Sequence, residues 1–258
     1  MQSIVVKIGG STLGSHDSTL DDLVALQKQG RIPVVVHGGG NAITQWMDKL
    51  GLEARFVRGL RVTDAQALQV VVAVLGGLVN KELVAGLQAR GGTALGLSGL
   101  DCGMVRARIL DKELGYVGEV TRVDTASLLS LLKAGMMPVI APLALGEVDG
   151  AATPLNLNAD TLAGEMAAAL QAKVLVFLTD VPGVLDASKR VVSRLDRKGV
   201  QALSSSGVIN KGMLPKVDAC LRASEAGTKA LIVDGREPGA LLQAVEGKAQ
   251  GTLFKEES

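Results

Sequence analysis

The chain has 258 residues, of which 47% are hydrophobic and 21% charged, a composition that excludes disordered and fibrous proteins. Its 27 basic and 26 acidic residues nearly cancel, so net charge gives no reason to expect a nucleic acid or an anionic membrane as partner. One Trp, one Tyr and three Phe are too few for the stacking platform that single-stranded nucleic acid requires.

Short apolar runs alternate with amphipathic stretches along the chain. The predicted strands are residues 3–8, 32–37, 93–98, 137–142, 173–179 and 229–234. The predicted helices lie near residues 18–29, 41–50, 64–89, 125–134, 159–171, 213–226 and 238–245. Strands that are apolar without alternation are covered on both faces, so the pattern predicts a mainly parallel sheet between helices. Ligands of such sheets bind beyond the carboxyl ends of the strands.

Two segments interrupt this alternation. Residues 103–120 read as hairpin-like strands, and residues 144–160 read as a long passage punctuated by Gly and Pro, where two lobes are expected to meet. The helix from residue 64 has a capping-box pattern at its start, Thr63 followed by Gln66. Because it is apolar on nearly every face, it is predicted either to lie deep in the core or to be shared with another chain.

Further features predict a cytoplasmic protein without a membrane span. Cys102 and Cys220 are isolated thiols, which suits a reducing compartment. The first strand begins near residue 3, leaving no room for a signal peptide. The longest uncharged stretch, Ala65 to Asn80, is shorter than the roughly 20 apolar residues that a span requires.

Several common catalytic motifs are absent from the sequence. It contains neither GxxxxGK[ST] nor GxGxxG, which excludes a Walker-type site and removes the dinucleotide fingerprint. It also lacks GxSxG and HExxH, and with only His16 and His37 a mechanism that needs several imidazoles is improbable.

Glycine loops follow two predicted strands. "KIGGST" and "HGGGN" each precede a predicted helix, so each places flexible backbone near a helix N-terminus, where anions are favoured. Each loop alone is equally well explained as a tight turn. In "GLRVTD", Arg61 precedes a helix start and can reach a carboxylate bidentately, although a solvated arginine is the simpler reading.

Two lysines occupy unfavourable positions. Lys7 lies within an apolar strand, where an unpaired charge costs several kcal/mol. Lys216 follows Pro215 at a predicted helix start, the positive end of the helix dipole. Both positions become favourable if an anion binds between them, which is what phosphoryl transfer requires. A carboxylate acceptor is already ionised at neutral pH, so the reaction would need no histidine as base.

Acidic and amide side chains complete the candidate site. In "NLNAD", Asn158 and Asp160 are explained equally well by helix capping, but Asn156 lies too far out to cap. Asp180 ends a predicted strand on the ligand side, although a turn-forming Asp is the alternative.

Nine motifs in order resemble the amino acid kinase family, and within it the members that act on N-acetyl-L-glutamate. They are "VVKIGGST", "VVVHGGGN", "GLRVTD", "GLVNKELV", "GLSGLD", "GYVGEV", "NLNAD", "LTDVPGVL" and "NKGMLPKV", and the similarity as a whole runs from about residue 3 to 254. The resemblance implies a three-layer αβα sandwich with an open, mainly parallel eight-stranded sheet, the carbamate kinase-like fold. It also implies one domain over residues 1–258, with an amino-acid-binding and dimerisation lobe (about 1–172) and an ATP-binding lobe (about 173–258).

The implied reaction moves the γ-phosphoryl group of ATP, supplied with Mg²⁺, to the side-chain carboxylate of N-acetyl-L-glutamate in arginine biosynthesis, without a protein-held metal. The implied catalytic residues are Lys7, Lys216 and Asp160. The implied acid-binding residues are Gly39, Gly40, Arg61 and Asn156. The implied ATP-binding residues are Gly9, Gly10, Asp180, Val181, Pro182, Gly183, Val184, Leu185, Val208, Ile209 and Asn210.

The resemblance also implies a homodimer through the helix at residues 64–84. Because the chain lacks the extra N-terminal helix of hexameric relatives, it is expected to be insensitive to arginine, and half-inhibition at sub-millimolar arginine would contradict this. Three alternatives stay open: a kinase of a carrier-linked aminoadipate or glutamate group, a non-catalytic amino acid sensor, and a nicotinamide-dependent dehydrogenase. Retention of Lys7, Asp160 and Lys216 counts against the sensor, and the missing GxGxxG counts against the dehydrogenase.

Overall fold

The structure, a computed structural model, describes residues 3–9, 18–209 and 212–255. The strands are β1 (Ile4–Ile8), β2 (Pro33–His37), β3 (Phe56–Val57), β4 (Leu60–Arg61), β5 (Ala94–Ser98), β6 (Val105–Ile109), β7 (Gly118–Val123), β8 (Met137–Ala141), β9 (Leu143–Val148), β10 (Ala151–Asn156), β11 (Val174–Thr179), β12 (Arg194–Leu195), β13 (Lys229–Asp234) and β14 (Thr252–Phe254). The helices are α1 (Thr19–Lys28), α2 (Gly40–Lys49), α3 (Ala65–Val72), α4 (Asn80–Ala89), α5 (Ala126–Lys133), α6 (Ala159–Ala169), α7 (Arg197–Ser205), α8 (Leu214–Glu225) and α9 (Ala240–Glu246), and a π-helical segment, Ala73–Val79, joins α3 to α4.

The main sheet has eight strands in the order β12-β14-β13-β11-β1-β2-β8-β5. The six strands from β13 to β5 are parallel, while β14 runs antiparallel to β13. The predicted mainly parallel eight-stranded sheet is therefore confirmed. All six apolar runs form strands of this sheet, because strands covered by helices on both faces need apolar side chains on both sides.

Side chains of β1 alternate between two hydrophobic cores, one on each face of the sheet. Ile4, Val6 and Ile8 pack into the core shared with α1, α2, α3, α4 and α9. Val5 packs into the core shared with α5, α6 and α8. The sheet is thus the middle of three layers, as the sequence predicts, and Lys7 follows Val5 in facing the side of α6.

A second, four-stranded sheet has the order β10-β9-β6-β7. The predicted hairpin at residues 103–120 is confirmed in type by antiparallel β6 and β7. Residues 144–160, predicted as a long passage punctuated by Gly and Pro, contain β10 and most of β9, which pair as an antiparallel hairpin that the sequence analysis did not predict. Asp149 and Gly150 turn this hairpin with φ of 51° and 76°, the two positive values that an Asp-Gly turn supplies.

The long helix over α3, the π-helical segment and α4 is capped differently from the prediction. Asp64 is its N-cap and accepts a hydrogen bond from Ala67 N at 2.9 Å, whereas the Thr63 hydroxyl donates to Arg61 O at 3.0 Å. The helix, Ala65–Ala89, is long and apolar enough to cross a membrane by length and composition alone. Core helices of soluble proteins pass the same test, and 44% of its most apolar window is buried within the protein.

Candidate active site

Three neighbouring parallel strands end at one edge of the main sheet. The order β11-β1-β2 brings Asp180, Gly9 and Gly38 to this edge, since each residue follows one of these strands. The antiparallel β10 delivers Asn156 and, directly after it, the start of α6. The site is therefore at the carboxyl edge of the sheet, where the sequence places it.

Lys7, Asp160 and Lys216 form one ion-pair cluster at this edge. Lys7 Nζ lies 2.6 Å from Asp160 Oδ1, and Lys216 Nζ donates to Asp160 Oδ2 at 3.0 Å. The side chains of Lys7 and Asp160 are 7% and 8% exposed, and that of Lys216 is 21% exposed. The structure thus brings the three predicted catalytic residues together across more than 200 positions of sequence.

Helix starts place two of these three residues. Asn158 caps α6 by accepting from the backbone N–H groups of Asp160 and Thr161 at 2.9 and 3.0 Å. Pro215 lies in the first turn of α8, as predicted, and leaves Lys216 in that same turn. A carboxylate is favoured and an ammonium group disfavoured at a helix start, so Asp160 offsets the cost of Lys216.

Gly164 lets α6 and α8 approach closely next to the cluster. A Cβ atom on residue 164 would lie 2.8 Å from the carbonyl oxygen of Ala219 and 2.9 Å from its Cα. Gly164 is one helical turn beyond Asp160, and Ala219 is one turn beyond Lys216. The distance between the helices therefore sets the distance between these two side chains.

Burial and charge act in opposite directions within the cluster. Burial lowers the pKa of Lys7, and the neighbouring Lys216 lowers it further, while Asp160 raises it. Burial raises the pKa of Asp160, but Lys7 and Lys216 outweigh it and hold that pKa below its usual value. Two cations facing one anion leave the cluster with an excess positive charge, which suits a bound phosphoryl group.

A cavity of about 250 Å³ opens beside Lys7 and Asp160. Its lining includes the four predicted acid-binding residues, Gly39, Gly40, Arg61 and Asn156. Apolar side chains line it as well, namely Ile43, Phe56, Leu60, Leu75, Val117, Pro142 and Leu157. The arrangement of charged ends and apolar walls suits a small acid with aliphatic parts.

Arg61 lies in this cavity without an ion-pair partner among the described residues. Its Nη2 donates to Gly40 O at 2.9 Å and Thr44 Oγ1 at 2.7 Å, and its guanidinium lies 4.8 Å from the centre of the Phe56 ring. Burial lowers the pKa of Arg61, with Asp48 opposing. A guanidinium stays charged even so, and this one has donors left for an anion.

Asn156 is anchored from its side chain and its backbone. Its Nδ2 donates to the buried Thr63 Oγ1 at 3.0 Å, and its backbone N donates to Tyr116 O at 2.9 Å. Gly115 allows the loop to approach Thr63, because a Cβ there would lie 2.4 Å from Thr63 O. Sequence reasoning assigned Thr63 to helix capping and missed this role.

The described residues among those predicted to bind ATP do not line the first cavity. Val181 to Leu185 form the loop after β11, which is held by hydrogen bonds from Val181 N to Thr179 Oγ1 at 3.2 Å and from Val184 N to Thr252 Oγ1 at 2.8 Å. Pro182 lines a second cavity, of about 480 Å³.

The other predicted ATP-binding residues are only partly described. Gly9 N donates to Leu178 O at 3.3 Å, and Val208 and Ile209 follow α7. Gly10 and Asn210 lie outside the described residues.

Two buried polar residues beside the site escaped the sequence analysis. His37 ends β2 and Asn80 begins α4; both are fully buried, and Asn80 Nδ2 lies 3.2 Å from His37 Nε2. The motifs "HGGGN" and "GLVNKELV" contain them, but nothing in the sequence shows that they meet.

The chain is similar to known proteins in both sequence and fold. The pattern of the amino acid kinase family matches residues 2–234. Acetylglutamate kinase of Dehalococcoides mccartyi (strain CBDB1) is 43% identical over 97% of this chain and 93% of its own length. That of Novosphingobium aromaticivorans is 45% identical over 98% and 90%. The carbamate kinase of Giardia lamblia, 14% identical, superposes with a TM-score of 0.70 over 99% of each chain, which shows the shared fold.

Proposed function

The chain belongs to the amino acid kinase family, and on that premise we propose that it transfers the γ-phosphoryl group of ATP to the side-chain carboxylate of N-acetyl-L-glutamate. The products are ADP and N-acetyl-L-glutamyl 5-phosphate, an acyl phosphate of arginine biosynthesis. The observation that carries the proposal is the Lys7–Asp160–Lys216 cluster beside a cavity in which Arg61 forms no ion pair with any residue that the structure describes.

The cluster supplies the electrostatic part of catalysis. A carboxylate oxygen of the acceptor attacks the γ-phosphorus, and the bond to the oxygen bridging the β- and γ-phosphorus atoms breaks. Negative charge spreads over the equatorial oxygens of the moving group. Lys7 and Lys216 stabilise this charge from two sides, while Asp160 orients both ammonium groups. The acceptor is ionised at neutral pH, so the step requires no general base.

The cavity recognises the acid. Arg61 binds the α-carboxylate, since its planar donors match two carboxylate oxygens and it has no ion-pair partner among the described residues. Asn156 binds beside it, and the backbone N–H groups of Gly39 and Gly40, at the start of α2, face the reacting end of the acid. The apolar lining suits the methylene groups and the acetyl methyl group of the substrate.

ATP binding is assigned to the loop after β11. Asp180 to Leu185, with Gly9, Gly10 and Val208 to Asn210, form the nucleotide-binding set of this proposal. Mg²⁺ enters with ATP as part of the substrate. Among the described residues no group of three or more His, Cys, Asp and Glu side chains could hold a metal ion.

The same proposal includes a cytoplasmic homodimer with two lobes in each chain, at about residues 1–172 and 173–258. The long helix buries Val71 and Leu75 in the core but leaves Leu78 36% exposed. Leu95, on the edge strand β5, is 38% exposed. Leu78→Asp should turn dimers into monomers in sedimentation velocity experiments; a parent that sediments as a monomer would contradict the dimer.

Trapping the product with hydroxylamine tests the function directly. The protein is incubated with Mg-ATP, hydroxylamine and N-acetyl-L-glutamate, and the hydroxamate is measured as its coloured iron complex. We expect product from acetylglutamate and at least tenfold less from unacetylated glutamate or aspartate. Product from a carrier-linked acid alone would reassign the acceptor, and binding of an amino acid without any hydroxamate would indicate a sensor.

A further inference from the structure

His37 is a fully buried imidazole directly before the glycine loop that lines the cavity. Its Nδ1 lies 2.7 Å from the carbonyl oxygen of Gly38, and its Nε2 lies 3.2 Å from Asn80 Nδ2. Neither contact involves the Lys7–Asp160–Lys216 cluster. The proposed mechanism therefore leaves this buried pair without a role.

These contacts determine the tautomer of the ring. A carbonyl oxygen only accepts hydrogen bonds, so Nδ1 must carry the proton that Gly38 O receives. Asn80 Nδ2 also lies 2.9 Å from Val139 O and 3.2 Å from Leu97 O, which identifies it as the amide nitrogen, and its two hydrogens are shared among three acceptors. His37 Nε2 must then be the acceptor, and the ring is neutral.

Asn80 in turn is held in one orientation. Its Nδ2 contacts one residue each of β2, β8 and β5, and its Oδ1 accepts from Lys81 Nζ at 3.0 Å. Gly96 leaves room for it, because a Cβ there would lie 2.0 Å from Asn80 Oδ1. Asn80, at the start of α4, thus holds the imidazole at Nε2, the ring nitrogen that does not contact Gly38.

The Gly38 carbonyl fixes the next N–H group. A trans peptide is planar, so when the carbonyl of Gly38 points at the imidazole, the N–H of Gly39 points away from it. Gly38, Gly39 and Gly40 all line the cavity, and the N–H groups of Gly39 and Gly40 donate to no group among the described residues. Leu75 packs behind the loop, 2.6 Å from where a Cβ on Gly39 would be.

We propose that His37 is a positioning residue for phosphoryl transfer: through the Gly38 carbonyl it aims the Gly39 N–H into the cavity, at the oxygens that carry charge in the transition state. Asn80 holds the imidazole in the required tautomer and rotation. The inference rests on the proposed function and adds to it a residue pair that touches neither substrate. A donor held in place before the reaction needs no reorganisation during it.

Burial, with the positive charges nearby, keeps the imidazole of His37 neutral. Burial lowers its pKa to about 4, the hydrogen bond to Gly38 opposes this, and the ammonium groups of Lys7 on β1 and Lys81 on α4 lower the pKa further. The ring therefore keeps a free lone pair at Nε2 for Asn80 throughout the physiological pH range.

Two variants of equal shape separate donation from packing. In His37→Asn the amide nitrogen occupies roughly the place of Nδ1 and can still donate to Gly38 O, whereas His37→Leu has no donor. We expect kcat to fall less than about fivefold in the Asn variant and ~30-fold in the Leu variant, with KM for acetylglutamate within about threefold in both. Equal kcat values in the two variants, or a loss confined to KM, would overturn the proposal.

The unsubstituted protein provides a second test, which holds even if both variants unfold. Long-range ¹H–¹⁵N spectra of histidine distinguish the two neutral tautomers, and the chain contains only two histidines. We expect His37 to be protonated at Nδ1 and not to titrate above pH 5.5. Protonation at Nε2, or titration near 6.5, would refute the inference. If the parent forms no hydroxamate while the tautomer is as expected, the proposed function fails instead.

Discussion

Gly164→Ala tests whether the spacing between α6 and α8 sets the catalytic geometry. The new Cβ would meet Ala219 at 2.8 to 2.9 Å, against main-chain atoms that cannot rotate away. Carbon atoms pack at 3.5 Å or more, so the helices must separate by roughly 0.5 Å. The 3.0 Å hydrogen bond between Lys216 and Asp160 then lengthens beyond useful range.

Gly164→Ala is expected to lower kcat more markedly than it lowers the free energy of unfolding. Overpacking costs about 1–3 kcal/mol, and the better helix propensity of Ala returns about 1 kcal/mol, so the free energy of unfolding falls by roughly 0–2 kcal/mol. Misplacement of a catalytic group by a fraction of an ångström lowers kcat by about tenfold. KM for acetylglutamate should stay within about twofold, because Arg61 and Asn156 lie on other elements.

The assay is steady-state hydroxamate formation combined with thermal unfolding. Gly86→Ala is a matched control on α4, since its Cβ meets only side-chain ends: that of Leu20 at 2.9 Å, which can rotate, and Arg90 Nη1 at an ordinary 3.8 Å. The control should keep the parental kcat. A Gly164→Ala protein with parental kcat, or with kcat and KM changed in proportion, would refute the reasoning.

Three further predictions follow from the charged groups of the site. Asp160→Asn leaves two ammonium groups without their shared anion, so kcat should fall at least ~100-fold and stability by roughly 3 kcal/mol; parental turnover would contradict the cluster's role. Arg61→Lys should raise KM for acetylglutamate ~10-fold or more with kcat within about threefold, and an unchanged KM would exclude Arg61 from binding the α-carboxylate. Because burial lowers the pKa of His37 in the folded protein to about 4, below its ordinary value of 6.5, the unfolded chain binds the proton more readily. The free energy of unfolding should therefore fall as pH drops from about 6.5 to about 4, by at most roughly 3 kcal/mol. Measured by urea unfolding, it should fall less over this range in His37→Asn than in the parent protein. An equal fall in both proteins would contradict the burial of a neutral His37.

The sheet and the charged cluster could be predicted from the sequence because each corresponds to a local sequence pattern. Apolar runs predict the buried strands, and Lys7 and Lys216 stand out because each is unfavourable where it lies unless an anion is near. Asp160 is less distinctive, since helix capping explains it equally well. The structure divides the two roles, because Asn158 caps the helix while Asp160 pairs with the lysines.

Features that depend on contact between two segments distant in the sequence could not be predicted from the local pattern of either segment. The helix start at residue 64 shows a local error: Thr63 and Asp64 are both good caps, and the structure uses Asp64 because Thr63 is engaged by Asn156. The contact of His37 with Asn80 depends on how β2 packs against α4, which no pattern within either segment reveals.

The β9–β10 hairpin, in contrast, could have been found. An Asp-Gly pair between two runs that pair as strands is a strong hairpin signal, and the Gly and Pro residues nearby obscured it. Pro154 is tolerated within β10, and β10 is an edge strand of the second sheet.

The central claim is tested most directly by a crystal structure with ADP, Mg²⁺, N-acetyl-L-glutamate and aluminium fluoride. Aluminium fluoride mimics the planar phosphoryl group in the transition state. The account predicts that the ammonium nitrogens of Lys7 and Lys216 both lie within hydrogen-bond distance of the fluoride ligands while keeping contact with Asp160. A mimic bound away from either lysine, with Asp160 facing only water, would contradict it.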